Sequence, residues 1–327
     1  MLCIGLEGTA HTLGVGVIDS DGKIYANIRS EYVPKSGGIH PREAAQHHGV
    51  VLATKLQEAL EKSSLTFKDI ELIAFSRGPG LGPCLRVTAT AARALALLLD
   101  IPLVGVNHCV AHIELGRLVT GFKDPLVVYV SGGNTIVSAY EAGKYRVFGE
   151  TLDIALGNML DTFARAAGMP HPGGPKIEKL AKNDSAEFIS LPYSVKGMDL
   201  SFSGLLTAAV NTLKKGVQLE DLCFSLQEVS FAMLTEVTER ALAHTEKPEV
   251  LLTGGVAANK RLQEMLQIIS HEHDALFGAV SPDLAGDNGV MIGWTGLIQF
   301  IQGDILDIES SQILPKWGLS AFEFTRT

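Results

Sequence analysis

The chain has 327 residues, long for one hydrophobic core, and its 46% hydrophobic content is enough to fill two. Its 27 basic and 36 acidic residues give a net charge of −9, which excludes a global pull toward nucleic acid, so an RNA would need a local basic patch or a partner protein. Cys3, Cys84, Cys109 and Cys223 are scattered without a CxxC pair, so neither a zinc knuckle nor a disulfide framework is predicted and a reducing compartment is expected. The chain opens directly as a strand, with no basic segment or cleavage site, and aliphatic runs such as 94–99 are too short to cross a bilayer. A soluble cytoplasmic protein with no membrane partner is therefore expected.

In chain order, residues 2–6 read as a strand, Glu7-Gly8-Thr9-Ala10-His11-Thr12 as a polar turn, and 13–18 as a second strand. A turn at 19–23 leads to a third strand at 24–30, which completes an antiparallel meander with a glycine and hydroxyl tip. A loop at 34–41 and a helix at 42–62 follow. Residues 69–76 form a strand ending in Arg77-Gly78-Pro79-Gly80-Leu81-Gly82-Pro83. An Ala/Leu-rich helix at 85–99 and a strand at 103–106 come next. The pattern then restarts: strand 126–130, tip Ser131-Gly132-Gly133-Asn134-Thr135, return strand 136–140, strand 145–148 and helix 153–167. Later, strand 250–252 runs through Thr253-Gly254-Gly255 into a helix at 258–269, parallel to the strand, glycine loop and helix of 70–99. The order is a duplication of topology with little residue identity. It predicts an α/β protein with an N-terminal lobe at 1–124, a C-terminal lobe at 125–300, and a segment 301–327 that packs back on the first. Ligands are expected at the strand ends lining a cleft between the lobes.

His108 and His112 lie four apart in the first turn of a helix entered from a strand, which stacks two imidazoles on one face about 6 Å apart. The pair is half of a metal site, or one core histidine beside a solvated one. The Ser131–Thr135 tip offers backbone N–H groups suited to a phosphate, although a plain hairpin turn explains the same residues. Asp161 and Glu178, the latter beyond Gly173-Gly174-Pro175, are carboxylates suited to ribose hydroxyls or to a solvated helix face. Asn259, after Gly254-Gly255, is either a reader of an adenine edge or a helix cap. Asp287 in Asp287-Asn288-Gly289 stands where it would cap the apolar helix 290–301 or supply an oxygen ligand. Tyr129 ends a strand, aimed at the cleft or simply packed.

The paired tips describe the actin, hexokinase and Hsp70 architecture (ASKHA, ribonuclease H-like), with one departure: that architecture carries an aspartate at the first tip, and here the residue is Glu7. NHCVAH, YVSGGNT, FGETLDIALGN, HPGGPKIEKLA, KGMDLSFSGL, LLTGGVAANKRL and AGDNG occur together in order. As a set they resemble the universal tRNA threonylcarbamoyladenosine synthase family in its archaeal and eukaryotic-cytosolic form, the catalytic subunit of the KEOPS complex. The resemblance runs from residue 5 to about residue 300, and the tail 304–327 matches poorly.

The resemblance implies transfer of threonylcarbamoyl from its adenylate to N6 of adenosine 37 in tRNAs that read ANN codons, with release of AMP. It implies one metal ion, iron or zinc, on His108, His112, Tyr129 and Asp287. It also implies adenylate contacts at Tyr129, Val130, Ser131, Gly132, Gly133, Asp161, Gly174, Glu178 and Asn259. Implied partners are tRNA and the KEOPS subunits: a small atypical kinase, a dimerising subunit and a kinase-binding subunit. The family pattern often has an aromatic or aliphatic residue where His171 stands. Three rivals remain. A zinc metalloprotease expects HExxH, yet Cys109 follows His108 and Glu114 lies beyond the second histidine. An actin-like kinase expects an acidic first tip and a sugar pocket. A non-enzymatic nucleotide-binding regulatory subunit would bind the nucleotide without modifying tRNA.

Overall fold

The computed structural model describes residues 1–34, 38–183 and 185–321; expectations for 35–37 in the early loop and for 322–327 in the tail lie outside the described residues. The first series of elements is β1 (Leu2–Glu7), β2 (Thr12–Asp19), β3 (Ile24–Glu31), α1 (Pro41–Ser63), β4 (Leu72–Gly78), α2 (Gly82–Leu99), β5 (Leu103–Asn107) and α3 (His108–Thr120). The second is β6 (Leu126–Val130), β7 (Thr135–Glu141), β8 (Lys144–Glu150), α4 (Leu156–Ala166), α5 (Gly174–Ala181), β9 (Val195–Lys196), β10 (Asp199–Leu200), α6 (Ser203–Lys214) and α7 (Leu219–Thr245). It continues with β11 (Glu249–Thr253), α8 (Lys260–Glu272), β12 (Leu276–Ala279) and α9 (Pro282–Ala285), and the last helix is α10 (Gly289–Ile301).

Two compact units result: Met1–Leu118, Gly143–Tyr145 and Asp287–Thr327 form one, Val119–Ala142 and Arg146–Gly286 the other. In the first, five strands lie in the order β3-β2-β1-β4-β5. The β1–β2 and β2–β3 pairs are antiparallel, and β1–β4 and β4–β5 are parallel. In the second, the order is β12-β11-β6-β7-β8, so β6 takes the place of β1, β11 of β4 and β12 of β5, with the same parallel and antiparallel senses for the pairs around β6. The parallel strands are continuous apolar runs because both sheet faces are covered; every residue of β5 and β6 is buried.

The expected boundary at 300 is corrected by α10. That helix packs on β1, β2 and β4 and so belongs to the first unit. The contact is backbone on backbone: a β-carbon added at Gly5 would lie 2.1 Å from Gly289 O, and one at Gly16 would lie 2.2 Å from Val290 N. Side chains at these positions would lift the helix off the sheet. The following segment runs along the same unit, where the Arg77 guanidinium donates to Gln312 O (2.7 Å) and Ser310 O (2.8 Å) and Asn107 Nδ2 donates to Trp317 O (3.2 Å).

By length and composition α2 is apolar enough to cross a bilayer, with 18 residues at a mean hydropathy of 1.2. Here its Cys84, Leu85, Thr88, Ala89, Ala92 and Ala96 face is buried, and the helix packs against β4 and α1. The sequence reading leaves α6, α7 and the β9–β10 hairpin unassigned. In α7 Leu222, Leu226, Val229, Phe231, Met233 and Val237 are buried together with polar Ser225, Gln227, Ser230 and Thr238, so no single apolar stripe marks its period.

Candidate metal and nucleotide site

The first cluster is built at the carboxyl ends of the parallel strands of the first unit, where open α/β sheets gather ligands. Asn107 ends β5 and its Oδ1 accepts the N–H groups of Cys109 (2.9 Å) and Val110 (3.3 Å), so α3 begins at His108 itself. One turn on, His112 stacks on the same face; the two ring centroids are 4.8 Å apart at 85°. Both rings are buried, His108 at 6% exposure and His112 at 1%, which disposes of the reading with one solvated histidine.

Asp287 completes the group. Its Oδ1 lies 3.2 Å from His112 Nε2 and 3.6 Å from His108 Nε2. The cap expected of Asp287 is instead made by Asn288, whose Oδ1 accepts the Met291 N–H at 3.0 Å. One ligand atom from each of His108, His112 and Asp287 lies within 4.8 Å of the others, a group that can hold a metal ion. Two imidazole nitrogens and a carboxylate oxygen are donors suited to zinc or iron.

Burial works against a charged His108, but the carboxylates of Glu7 and Asp287 outweigh it and raise its pKa to about 9. At His112 burial prevails and lowers the pKa. Burial would raise Asp287, yet the two histidines hold it well below the usual carboxylate range. The carboxylates thus favour a positive charge at His108, while burial disfavours one at His112. Burial pushes the Cys109 thiol up to about 12, so this residue is no thiolate nucleophile. Glu114, the stray glutamate of the protease reading, is buried and engaged with Arg117 and Tyr145.

The remaining expected site residues lie in the second unit. Tyr129 is fully buried in β6, paired in register with Ile136 and Thr253. Next to it, Gly254 has φ +95°, and a β-carbon there would sit 2.3 Å from the oxygen of Val130, itself buried, so only glycine lets β11 end beside β6. At the following tip, Ser131 Oγ accepts the N–H groups of Gly133 (3.3 Å) and Asn134 (3.1 Å). A β-carbon at Gly132 or Gly133 would meet nothing within 4 Å, which leaves that backbone open.

Hydrogen bonds link most of the others. Asp161 on α4 accepts the Gly173 N–H at 2.7 Å, and its other oxygen lies 3.5 Å from His171 Nδ1, which gives that unexpected histidine a partner. Gly174 begins α5 with open space at its α-carbon. Glu178 on α5 accepts the Lys260 N–H (3.1 Å) and pairs with Lys182 (3.0 Å). Asn259 is the cap of α8: its Oδ1 accepts from Arg261 and Leu262, and its Nδ2 donates to Gln227 Oε1 at 3.0 Å. One Nδ2 proton is left for any other acceptor. Sequence reasoning missed Gln227, a polar residue inside a long apolar helix, and Asp153. Asp153 accepts from Ser201, Ser203 and the Phe202 N–H, and so ties the start of α6 to the turn before α4.

The repeated sheet topology and the strand-end clusters define a protein of the actin-like ATPase fold, duplicated in one chain. A crystal structure of Thermococcus kodakarensis HypF shares that fold at a TM-score of 0.64 and 18% identity, over 92% of this chain and 48% of that one. Residues 23–294 match the model of the TsaD family, tRNA N6-adenosine threonylcarbamoyltransferase, and the chain belongs to that family. A Thermococcus sibiricus protein named tRNA N6-adenosine threonylcarbamoyltransferase is 54% identical over 99% of this chain and 100% of its own length. A Methanobrevibacter smithii protein named a probable bifunctional tRNA threonylcarbamoyladenosine biosynthesis protein is 55% identical over 97% of this chain. The chain spans 59% of that longer relative.

Proposed function

We propose that this chain transfers the threonylcarbamoyl group from threonylcarbamoyl-AMP to N6 of adenosine 37 in ANN-decoding tRNAs and releases AMP. The observation that carries the reading is the family match over residues 23–294, which takes in all the proposed metal and adenylate residues. An exocyclic adenine amine is a weak nucleophile because its lone pair is delocalised into the ring, so the acyl group must arrive activated. The adenylate supplies that activation: the N6–carbamoyl bond forms as the bond from carbamoyl carbon to phosphate oxygen breaks, N6 gives up one proton, and AMP departs. The protein's task is to hold and orient.

His108, His112 and Asp287, with Tyr129 as fourth ligand, would hold iron or zinc, whose Lewis acidity polarises acyl or phosphate oxygens. In the second unit, the open backbone at Gly132 and Gly133 suits the phosphate, and Asp161 and Glu178 suit the ribose hydroxyls. The last Nδ2 proton of Asn259 suits a ring nitrogen of the base. Tyr129, Val130 and Gly174 line the same proposed adenylate path.

The chain's net charge of −9 argues that tRNA is bound with help from a partner protein, and the family resemblance points to the KEOPS subunits, the atypical kinase among them, in the cytoplasm. The test is single-turnover transfer of labelled threonylcarbamoyl from preformed adenylate to an ANN-decoding tRNA, with and without those subunits. Modified tRNA is expected with the complex. AMP binding without product in both cases would instead support a regulatory nucleotide-binding subunit.

A further inference from the structure

Glu7 is the residue that departs from the architecture's usual aspartate, and the transfer reading gives it no part. It closes β1, fully buried, with both carboxylate oxygens committed. Oε1 accepts the Thr9 N–H at 2.8 Å and the Thr9 hydroxyl at 2.6 Å. Oε2 lies 3.1 Å from His108 Nδ1, and Thr9 Oγ1 lies 3.4 Å from the same nitrogen. The opposite nitrogen of that ring, Nε2, is the one that faces Asp287. Glu7 therefore meets His108 on the side of the ring away from the cluster, which is the wrong place for a ligand and the right place for an orienting acceptor. A metal-bound histidine is fixed in tautomer and orientation by the bond its other nitrogen donates, most effectively to a carboxylate.

We propose that Glu7, seated by Thr9, is the positioning residue of this centre: it accepts the Nδ1–H bond of His108 and so presents Nε2 to the ion shared with His112 and Asp287. The inference rests on the reading of those three residues as metal ligands. The extra methylene of glutamate over aspartate carries the carboxylate from the strand end to the imidazole. The first tip thereby serves the metal through a histidine rather than directly.

The test compares the full chain with Glu7→Gln, Thr9→Val and His112→Ala. The probe is Zn(II), with affinity read by competition against a chelating chromophore. Glu7→Gln keeps volume and a neutral acceptor, and is expected to weaken Zn(II) by about 10- to 100-fold. Thr9→Val, which only unseats the carboxylate, should weaken it less and in the same direction. In Zn(II)-loaded protein labelled with 15N-histidine, the His108 Nδ1–H resonance should shift in both variants, a change that loss of general stability does not produce. Unchanged Zn(II) affinity and resonance in both variants, with affinity lost in His112→Ala, would overturn the role of Glu7 and leave the metal site standing. Unchanged affinity in His112→Ala as well would remove the metal reading and this inference with it.

Discussion

Asn288 and Asp287 divide two jobs that the sequence left as alternatives for Asp287: Asn288 Oδ1 takes the Met291 N–H at 3.0 Å, and the Asp287 carboxylate goes to His112 at 3.2 Å. The two substitutions should therefore separate cleanly. Asn288→Ala is expected to lower stability by about 1–2 kcal/mol through loss of the cap. Asp287→Ala should leave the cap in place and strip the metal. Urea titration and elemental analysis of both variants check this. Equal metal content in Asp287→Ala and wild type would return the carboxylate to a structural role.

The seat of α10 carries the next expectation. Because a β-carbon at Gly16 would meet Val290 N at 2.2 Å, Gly16→Ala must push the helix and Asp287 together away from β2. A loss of about 1–3 kcal/mol, the range for overpacking, should come with weaker metal binding. By contrast, Gly49→Ala on α1, where the added methyl meets nothing within 4 Å, should cost nothing and gain some helix propensity. Thermal melts of the two variants measure the contrast.

What was legible in the sequence follows from these contacts. The strands and the duplicated order could be read because fully buried parallel strands are short apolar runs closed by glycine loops, as in Leu126–Val130. The spacing of His108 and His112 placed both rings on one helix face for the same kind of reason: helix geometry is local. The partners of Glu7, the seat of α10 and the Asn259–Gln227 bond join residues far apart in the chain, and no periodicity encodes them. Which of two neighbouring polar residues caps a helix also escaped, since Asp287 and Asn288 are equally good caps by type.

For the nucleotide, Asp161→Asn and Glu178→Gln should each weaken AMP by roughly 1–3 kcal/mol if their charges accept ribose hydroxyls. Asp161 also holds the Gly173 N–H at 2.7 Å, so a variant that only loosened the loop would lose the same affinity for 2′- and 3′-deoxy analogues as for AMP. A smaller penalty with the deoxy analogues is the expected calorimetric result. Equal penalties would limit Asp161 to holding the loop.

His48 sets an acid limit on the first unit. The ring is fully buried, with Nε2 bonded to Ala10 O at 3.0 Å, and burial lowers its pKa to about 4 against the bond to Ala10 and the charge of Glu7; His47 and His11 lower it further. The unfolded chain binds this proton near pH 6.5, before the folded one does, so acid favours unfolding. Stability conferred by neutral His48 is complete above about pH 6.5 and falls by up to about 3 kcal/mol as the pH drops to about 4. His48→Gln can keep a donor to Ala10 O without titrating. Urea unfolding between pH 4 and 7 should therefore give a shallower pH slope for His48→Gln than for wild type. Parallel slopes would mean that His48 takes up its proton at the same pH in the folded and unfolded chain and that carboxylates elsewhere govern the acid limb.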